Sequence, residues 1–339
     1  MEVNLIGFGA IGGVFAKELS EKGIRINAFE EDEKIGYPVH CSGLISKSTL
    51  KEIGIKGIVI KKFNKACFHS SFQSFSIISK QGMYLIDRAK LEQKLAKEAE
   101  KNGTQIFLGK RMLAKDIKKL KGIIVGCDGI NSETAKAFSL PPIKKFVITY
   151  KKFFYMRKKV EELHLFYDVS KGFFGWLIPY SNFAEVGVGS FSNPKESFQK
   201  LLNKKMLKEL LKKEKQMPNH KTSALIPMQL REKTYSDRAI LIGNAAGHIK
   251  FATGGGLAFG VRIAKLASDI VFESIKNGKK LELYEKEWKK RYLLDFKLHN
   301  VLRIVLTSPL REVLFLFARS LKTTGLNPDA PWRLKNFKY

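Results

Sequence analysis

Apolar residues along the chain switch between two periods, and the switches mark out its elements. An apolar strand, Asn4-Leu5-Ile6, runs into Gly7-Phe8-Gly9-Ala10-Ile11-Gly12-Gly13, after which small and apolar residues recur at helical spacing as far as Leu19. A second apolar strand, Ile24 to Phe29, follows the break at Gly23. Residues from about Val59 to Tyr84 take period two, as in Cys67 to Phe72 and Ser74 to Ile78, which predicts strands. Helical spacing returns after Asp87, a residue placed to cap a helix whose inward positions are Leu91, Leu95 and Ala99. A short strand near Gln105 to Leu108, a basic connector and an apolar strand ending at Gly126-Cys127-Asp128-Gly129 complete this part. Beyond Pro141-Pro142, alternating aromatics in Phe146 to Tyr155, His164 to Tyr167 and Gly172 to Pro179, then Ala184 to Gly189, predict more sheet and a wide apolar wall. Glu196 to Lys215 reads as a Lys-rich amphipathic helix pair. The strand Arg238 to Ile242 enters the small-residue turn Gly243-Asn244-Ala245-Ala246-Gly247, and the triple glycine Gly254-Gly255-Gly256 opens a helix to about Ser274. Two last helices, Tyr292 to Leu306 and Leu310 to Leu321, are separated near Pro309.

Strand, G-x-G-x-x-G and helix in that order make a dinucleotide fingerprint. Gly7 allows the sharp turn, Gly9 the close approach of a pyrophosphate, and Gly12 the packing of helix on sheet. Glu30 closes the second strand about twenty residues on, where a carboxylate accepts from a ribose hydroxyl. The Asp128-Gly129 turn reads either as a second cofactor contact or as a plain turn, and Cys41, in the Gly/Pro-punctuated loop after Glu30, as a thiol near a cofactor or a small packed residue. Arg88 stands in the first turn of its helix, against the favourable sense of the dipole, which points to an anion partner or a salt bridge.

Composition narrows the class. The 339 residues are 44% hydrophobic and 27% charged, enough for a substantial core. No basic n-region precedes the apolar start, and no run approaches membrane-spanning length, so neither a signal peptide nor a transmembrane helix is expected. Cys41, Cys67 and Cys127 are isolated, giving neither a disulfide framework nor a metal site, and a reducing cytoplasm is the expected location. The formal charge of +29 is spread over many lysine pairs. Solvated lysines or an anionic surface partner account for it; nucleic acid is not expected, because no nucleic-acid motif accompanies the charge.

Together, Gly7-x-Gly9-x-x-Gly12, Glu30, Arg88, Gly126 to Gly129 and Gly243 to Gly247 resemble the FAD-binding flavoprotein fold typified by p-hydroxybenzoate hydroxylase, over roughly residues 1 to 275. Within it, Pro38-Val39-His40-Cys41-Ser42-Gly43 and Gly172 to Pro179 resemble the geranylgeranyl reductase family, with its Cys-containing loop and Tyr-x-Trp-x-Phe-Pro motif. The resemblance implies an α/β fold with a Rossmann-like FAD-binding domain (1–58, 84–142 and 236–280), an inserted antiparallel β-sheet substrate domain (59–83 and 143–235) and a C-terminal helical region (281–339). It implies FAD against Gly7, Gly9, Ile11, Gly12, Glu30, Cys41, Arg88, Asp128, Gly129, Asn244, Gly247, Gly254, Gly255 and Gly256. It further implies Cys41 and Trp176 in catalysis, Phe174, Trp176 and Pro179 at the substrate, and no metal. Three departures stand out. Asn244 replaces the usual Asp, Phe174 and Ile178 replace the Tyr and Phe of the motif, and the connector from Gly109 to Lys121 is too short for the β-meander usual in this fold.

The function implied is reduction of isolated C=C bonds in the geranylgeranyl chains of a prenyl lipid or prenyl diphosphate, of the archaeal membrane type. Flavin-dependent hydroxylation is the alternative, and a flavin protein without catalysis a third reading. No second fingerprint is present, so the electron donor is expected to be ferredoxin or a transient reduced nicotinamide. The C-terminal helices read either as a lid or as an interfacial anchor in which Lys297, Arg303, Arg311 and Arg319 meet anionic lipid, placing the protein on the cytoplasmic face of a membrane.

Overall fold

The computed structural model describes residues 2–216, 222–320, 323–325 and 327–332. Two sheets organise them. The first is parallel and built from β1 (Val3–Ile6), β2 (Ile26–Phe29), β6 (Thr104–Phe107), β7 (Ile123–Gly126) and β14 (Ala239–Leu241), in the order β14-β7-β1-β2-β6. β1 and β7 are buried along their whole length, as expected of a sheet covered on both faces. Helix α1 (Ala10–Ser20) packs between this sheet, α3 (Arg88–Lys101) and α8 (Leu257–Asn277) through Val14, Phe15 and Leu19. Asp87 caps α3 by accepting from the Lys90 N–H at 2.9 Å, and Leu91, Leu95 and Ala99 face inward. The connector after β6 carries the single-turn helix α4 (Ala114–Ile117), and α5 (Glu133–Ala137) follows β7.

The second sheet is mostly antiparallel. Its main path runs β12-β8-β11-β10-β9-β4-β5-β15, with β13 on β8 and β3 on β5. Its strands are β3 (Leu44–Ser46), β4 (Val59–His69), β5 (Ser74–Ile86), β8 (Phe146–Met156), β9 (Leu163–Phe166), β10 (Gly175–Pro179), β11 (Phe183–Ser190), β12 (Leu211–Gln216), β13 (Thr222–Pro227) and β15 (Thr323–Thr324). One face is covered by α6 (Pro194–Leu202) and α7 (Lys205–Leu210), over a core of Phe154, Phe166, Leu177, Val186, Val188, Phe198 and Leu201. α2 (Lys47–Ile53) links β3 to β4, and α9 (Glu282–Thr307) and α10 (Arg311–Ala318) end the helical part.

The Lys-rich helix pair expected over Glu196 to Lys215 stops at Leu210. Leu211 is fully buried in the core beneath the sheet and pairs with Met156 of β8, so an edge-strand position overrides helical propensity there. The last helices also differ from expectation. α9 starts ten residues earlier than its apolar stripe suggested, because Tyr284 and Trp288 are core residues on its first turns. Within the second of these helices the apolar residues divide: Phe315 is buried against Phe68, Phe75 and Tyr167, while Leu316 and Phe317 are exposed. Residues 321 and 322 lie outside the described residues. Among the described residues, no helix is long and apolar enough to cross a membrane.

Candidate functional site

The parallel sheet reverses its order at β1, with β2 on one side and β7 on the other, and ligands of open α/β sheets bind beyond the carboxyl end of such a strand. Gly7 leaves β1 with φ 90°, and a Cβ there would stand 2.7 Å from the Cys127 carbonyl oxygen. A Cβ on Gly12 would stand 2.3 Å from the Gly7 carbonyl oxygen. Gly9 is different: nothing lies within 4 Å of a Cβ built on it, so its outer face is open. α1 has no side-chain cap and no acidic residue in its first turn, which leaves its positive end to an anion. Glu30 braces the turn by accepting from the Phe8 N–H at 2.5 Å and the Asp32 N–H at 3.2 Å. Burial raises its carboxyl pKa against the pull of those amides.

Ile11 ties this turn to the late one, since a Cβ on Gly243 would stand 3.3 Å from it and one on Gly260 2.5 Å. Asp128 spends both carboxylate oxygens on α5, accepting from Ser132 Oγ at 2.7 Å and from the Thr134 N–H at 2.8 Å. In the same turn Gly129 is the open position, with nothing within 4 Å of a Cβ. Gly247 backs onto the Gln229 carbonyl, 2.3 Å from where its Cβ would be. Asn244 is exposed, and its Oδ1 would be 3.3 Å from a Cβ on Gly256, the uncapped N-terminus of α8. The loop before α8 is folded around Lys250, whose carbonyl accepts from the Thr253 and Gly254 N–H groups at 3.0 and 2.8 Å and whose N–H donates to Gly255 at 3.0 Å. Its ammonium reaches Asp329 in the C-terminal tail at 2.6 Å.

The antiparallel sheet meets this loop through its aromatics. A Cβ on Gly254 would stand 3.0 Å from the ring of Phe173, which stacks on Phe174 with centroids 4.4 Å apart, and Trp176 lies 6.1 Å beyond. Gly187 and Gly189 make room for these rings: Cβ atoms there would lie 2.3 Å from Trp176 and 2.4 Å from Phe173. Pro179, expected at the substrate, has the strand parity of Leu177 and so belongs to the face covered by α6, opposite Trp176. Residues not singled out in the sequence also stand here. Glu185, fully buried, accepts from Trp176 Nε1 at 2.8 Å, from Lys151 Nζ at 2.9 Å and from Ser42 Oγ. An acid inside an alternating Gly/Val strand was the available signal.

Cys41 is exposed at the rim, where its sulfur accepts from the Gly43 N–H at 3.4 Å. Arg88 lies against the same loop, its stem 3.2 Å from where a Gly43 Cβ would be, and pairs with Glu92 one turn along α3. Burial disfavours the Arg88 charge, but the Cys41 sulfur and the Glu92 carboxylate more than offset this, so its pKa ends above the ordinary value. Its Nε has no hydrogen-bond partner. Open faces at Gly9 and Gly129, two uncapped helix starts and this spare buried donor fit the phosphates and polar edge of a flavin dinucleotide. Among the described residues, no three His, Cys, Asp or Glu side chains are grouped to hold a metal.

No family model matches the chain. It is 30% identical over 329 residues to an uncharacterized protein of Methanocaldococcus jannaschii, covering 89% of this chain and 83% of that one. It is 25% identical over 371 residues to digeranylgeranylglycerophospholipid reductase of Methanosarcina acetivorans, covering 95% and 88%. Among solved structures, a geranylgeranyl bacteriochlorophyll reductase-like protein of Thermoplasma acidophilum shares the fold with a TM-score of 0.84 at 18% identity, covering 97% of this chain and 94% of that one.

Proposed function

We propose, for a chain that belongs to the geranylgeranyl reductase family, that it binds FAD and reduces isolated C=C bonds in the geranylgeranyl chains of a membrane prenyl lipid or its precursor. The observation that carries this reading is the meeting of three parts on one face: the glycine loop at Gly254, the Phe173-Phe174-Trp176 wall against it, and the Cys41 loop joined to Trp176 through Glu185. Bound FAD, once reduced by the electron donor, would supply a hydride to one carbon of the double bond and return to its oxidised form. The chain's own residues divide the remaining work. The amides at the start of α8 and the Gly254–Gly256 loop favour negative charge on a bound ring edge. Phe173 and Phe174 are buried and back Trp176, whose partly exposed indole would lie along an apolar chain that has no polar handle along its length. Cys41, at the rim beside Arg88, orients substrate or supplies the proton that completes the saturated bond.

The surface beyond the wall supports delivery from a membrane. Leu294, Val301 and Ile304 of α9 and Leu310, Val313, Leu316 and Phe317 at α10 are exposed at helical spacing, and Phe72 at the β4–β5 turn is 85% exposed beside them. Gln73 in that turn donates to the Glu312 carbonyl at 2.9 Å, so turn and helix present one apolar patch. Seven helical side chains, each about half exposed, offer on the order of 5 kcal/mol on burial at a bilayer boundary. Of the four cations expected to meet lipid, Lys297 and Arg319 are exposed. Arg303 instead donates to Gly172 and Asn300, and Arg311 pairs with Glu312. The reading places the protein peripherally on the cytoplasmic face, fed by ferredoxin or reduced nicotinamide. Anaerobic incubation with dithionite and candidate prenyl lipids, followed by lipid mass spectrometry, tests the reaction: gain of two hydrogens per bond is expected. Oxygen insertion under air with reduced nicotinamide, and no hydrogenation without air, would replace it with the hydroxylase reading.

A further inference from the structure

A buried carboxylate links the Cys41 loop to the aromatic wall. Glu185 stands on β11 between Phe153 of β8 and Ile178 of β10, on the face of the sheet that also carries Trp176 and Lys151. Its side chain and that of Lys151 are 1% and 4% exposed. One carboxylate oxygen accepts from both the Trp176 indole at 2.8 Å and the Ser42 hydroxyl; the other accepts from Lys151 at 2.9 Å. Burying such a pair costs more desolvation than its attraction reliably returns, and apolar residues of similar volume would hold the sheet as well. Stability alone therefore does not account for it. What the pair does that apolar residues cannot is hold two groups from distant parts of the chain on one oxygen: an indole from the wall and a hydroxyl from the residue next to Cys41.

We propose that Glu185 is a positioning residue, fixed by Lys151, that locks the Cys41-Ser42-Gly43 loop to Trp176 and so sets where the Cys41 thiol stands over the substrate wall. The placement concerns the resting protein, although its use in turnover rests on the reductase reading. Ser42 is the only member of the link on a loop; Trp176 and Lys151 sit on paired strands. Losing the carboxylate or the hydroxyl therefore removes the loop's tie to Trp176 while leaving the sheet paired and the Gly43 carbonyl still bonded to the Ile86 N–H at 2.9 Å.

The test is the alkylation rate of Cys41 by iodoacetamide, followed by peptide mass spectrometry on the full-length protein, with the half-buried Cys67 and Cys127 as internal references. Glu185→Gln and Ser42→Ala should each change the Cys41 rate by about tenfold, equivalent to about 1.4 kcal/mol in the loop's preference for its locked position. The double variant should change it no further, because both act through one contact. Asp168→Asn removes an ion pair elsewhere, the one with Lys204, and should leave the Cys41 rate alone even if it lowers stability. Ser42→Ala touches only the loop, so it remains informative if Glu185→Gln does not fold. Rates within twofold of wild type in Ser42→Ala, additive effects in the double variant, or an equal change in Asp168→Asn would each overturn the proposal. None of these outcomes depends on the substrate. If the Cys41 rates behave as expected but no prenyl lipid is hydrogenated, the positioning stands and the reductase reading falls.

Discussion

Gly9 and Gly12 belong to one motif yet should fail in opposite ways when given a side chain. Gly9 is the N-cap of α1 with φ −73°, a conformation open to any residue, and nothing lies within 4 Å of its Cβ position. Gly9→Val should therefore leave the apoprotein folded, at a cost of about 1 kcal/mol for a poorer cap. The open face is where the pyrophosphate would approach, and two charge-assisted amide bonds displaced there forfeit about 3–6 kcal/mol. That corresponds to roughly two to four orders of magnitude in the Kd for FAD. Gly12→Ala sets a methyl 2.3 Å from the Gly7 carbonyl oxygen, a backbone atom already fixed between strands, so α1 must lift from the sheet and the apoprotein itself should lose about 1–3 kcal/mol. Urea unfolding of the apoproteins and flavin-fluorescence titration separate the two effects. Stoichiometric FAD with an unchanged Kd in Gly9→Val would refute the placement of the pyrophosphate at this turn.

The other expectations address separate parts of the molecule. Cys41→Ser should lower prenyl-lipid turnover while retaining FAD, and wild-type turnover would leave Cys41 with no part in the reaction. Gly187→Ala, whose methyl would lie 2.3 Å from the Trp176 ring, should cost about 1–3 kcal/mol in urea unfolding and shift the indole fluorescence. His248 is fully buried with neither ring nitrogen paired, and burial lowers its pKa to about 3. Its neutral form is favoured in the fold, so the stability it permits is present above the unfolded pKa of about 6.5 and is lost as pH falls toward 3, roughly 2 kcal/mol by pH 5. His248→Leu should flatten the stability profile between pH 8 and pH 5 by about that amount; an unaltered slope would assign the loss to other groups. Flotation should recover the protein with anionic vesicles and much less with neutral ones, and salt should weaken the binding. Equal binding to both vesicle types, or binding to neither, would contradict peripheral membrane association.

What the sequence made legible was set by how local each physical cause is. The turn at Gly7 to Gly12 and the cap at Asp87 are decided within a few residues, by φ and by one side chain reaching a nearby amide, and both read directly from the string. The departures arise where a partner far along the chain decides. Leu211 leaves a helical pattern because β8, more than fifty residues earlier, offers an edge and a core beneath it. Gly187 and Gly189 stand in a strand the sequence predicts, but the reason for glycine there is the pair of rings at Trp176 and Phe173 that fill the space they leave. Glu185 follows the same rule more strongly. Its three partners come from three separate segments, so the sequence shows an acid inside an alternating Gly/Val strand but not the groups that acid holds. The C-terminal helices show the limit of periodicity itself. Spacing identified an apolar face on α10, but two faces are apolar there. Phe315 fills the groove between Phe68, Phe75 and Tyr167, and Leu310, Val313 and Phe317 remain outside once that groove is full. A stripe pattern counts apolar positions without counting the surface available to cover them. The sheet beneath α10 decides which of these positions are covered: Phe315 takes the packed side, and the exposed Leu310, Val313 and Phe317 are the ones proposed to meet lipid.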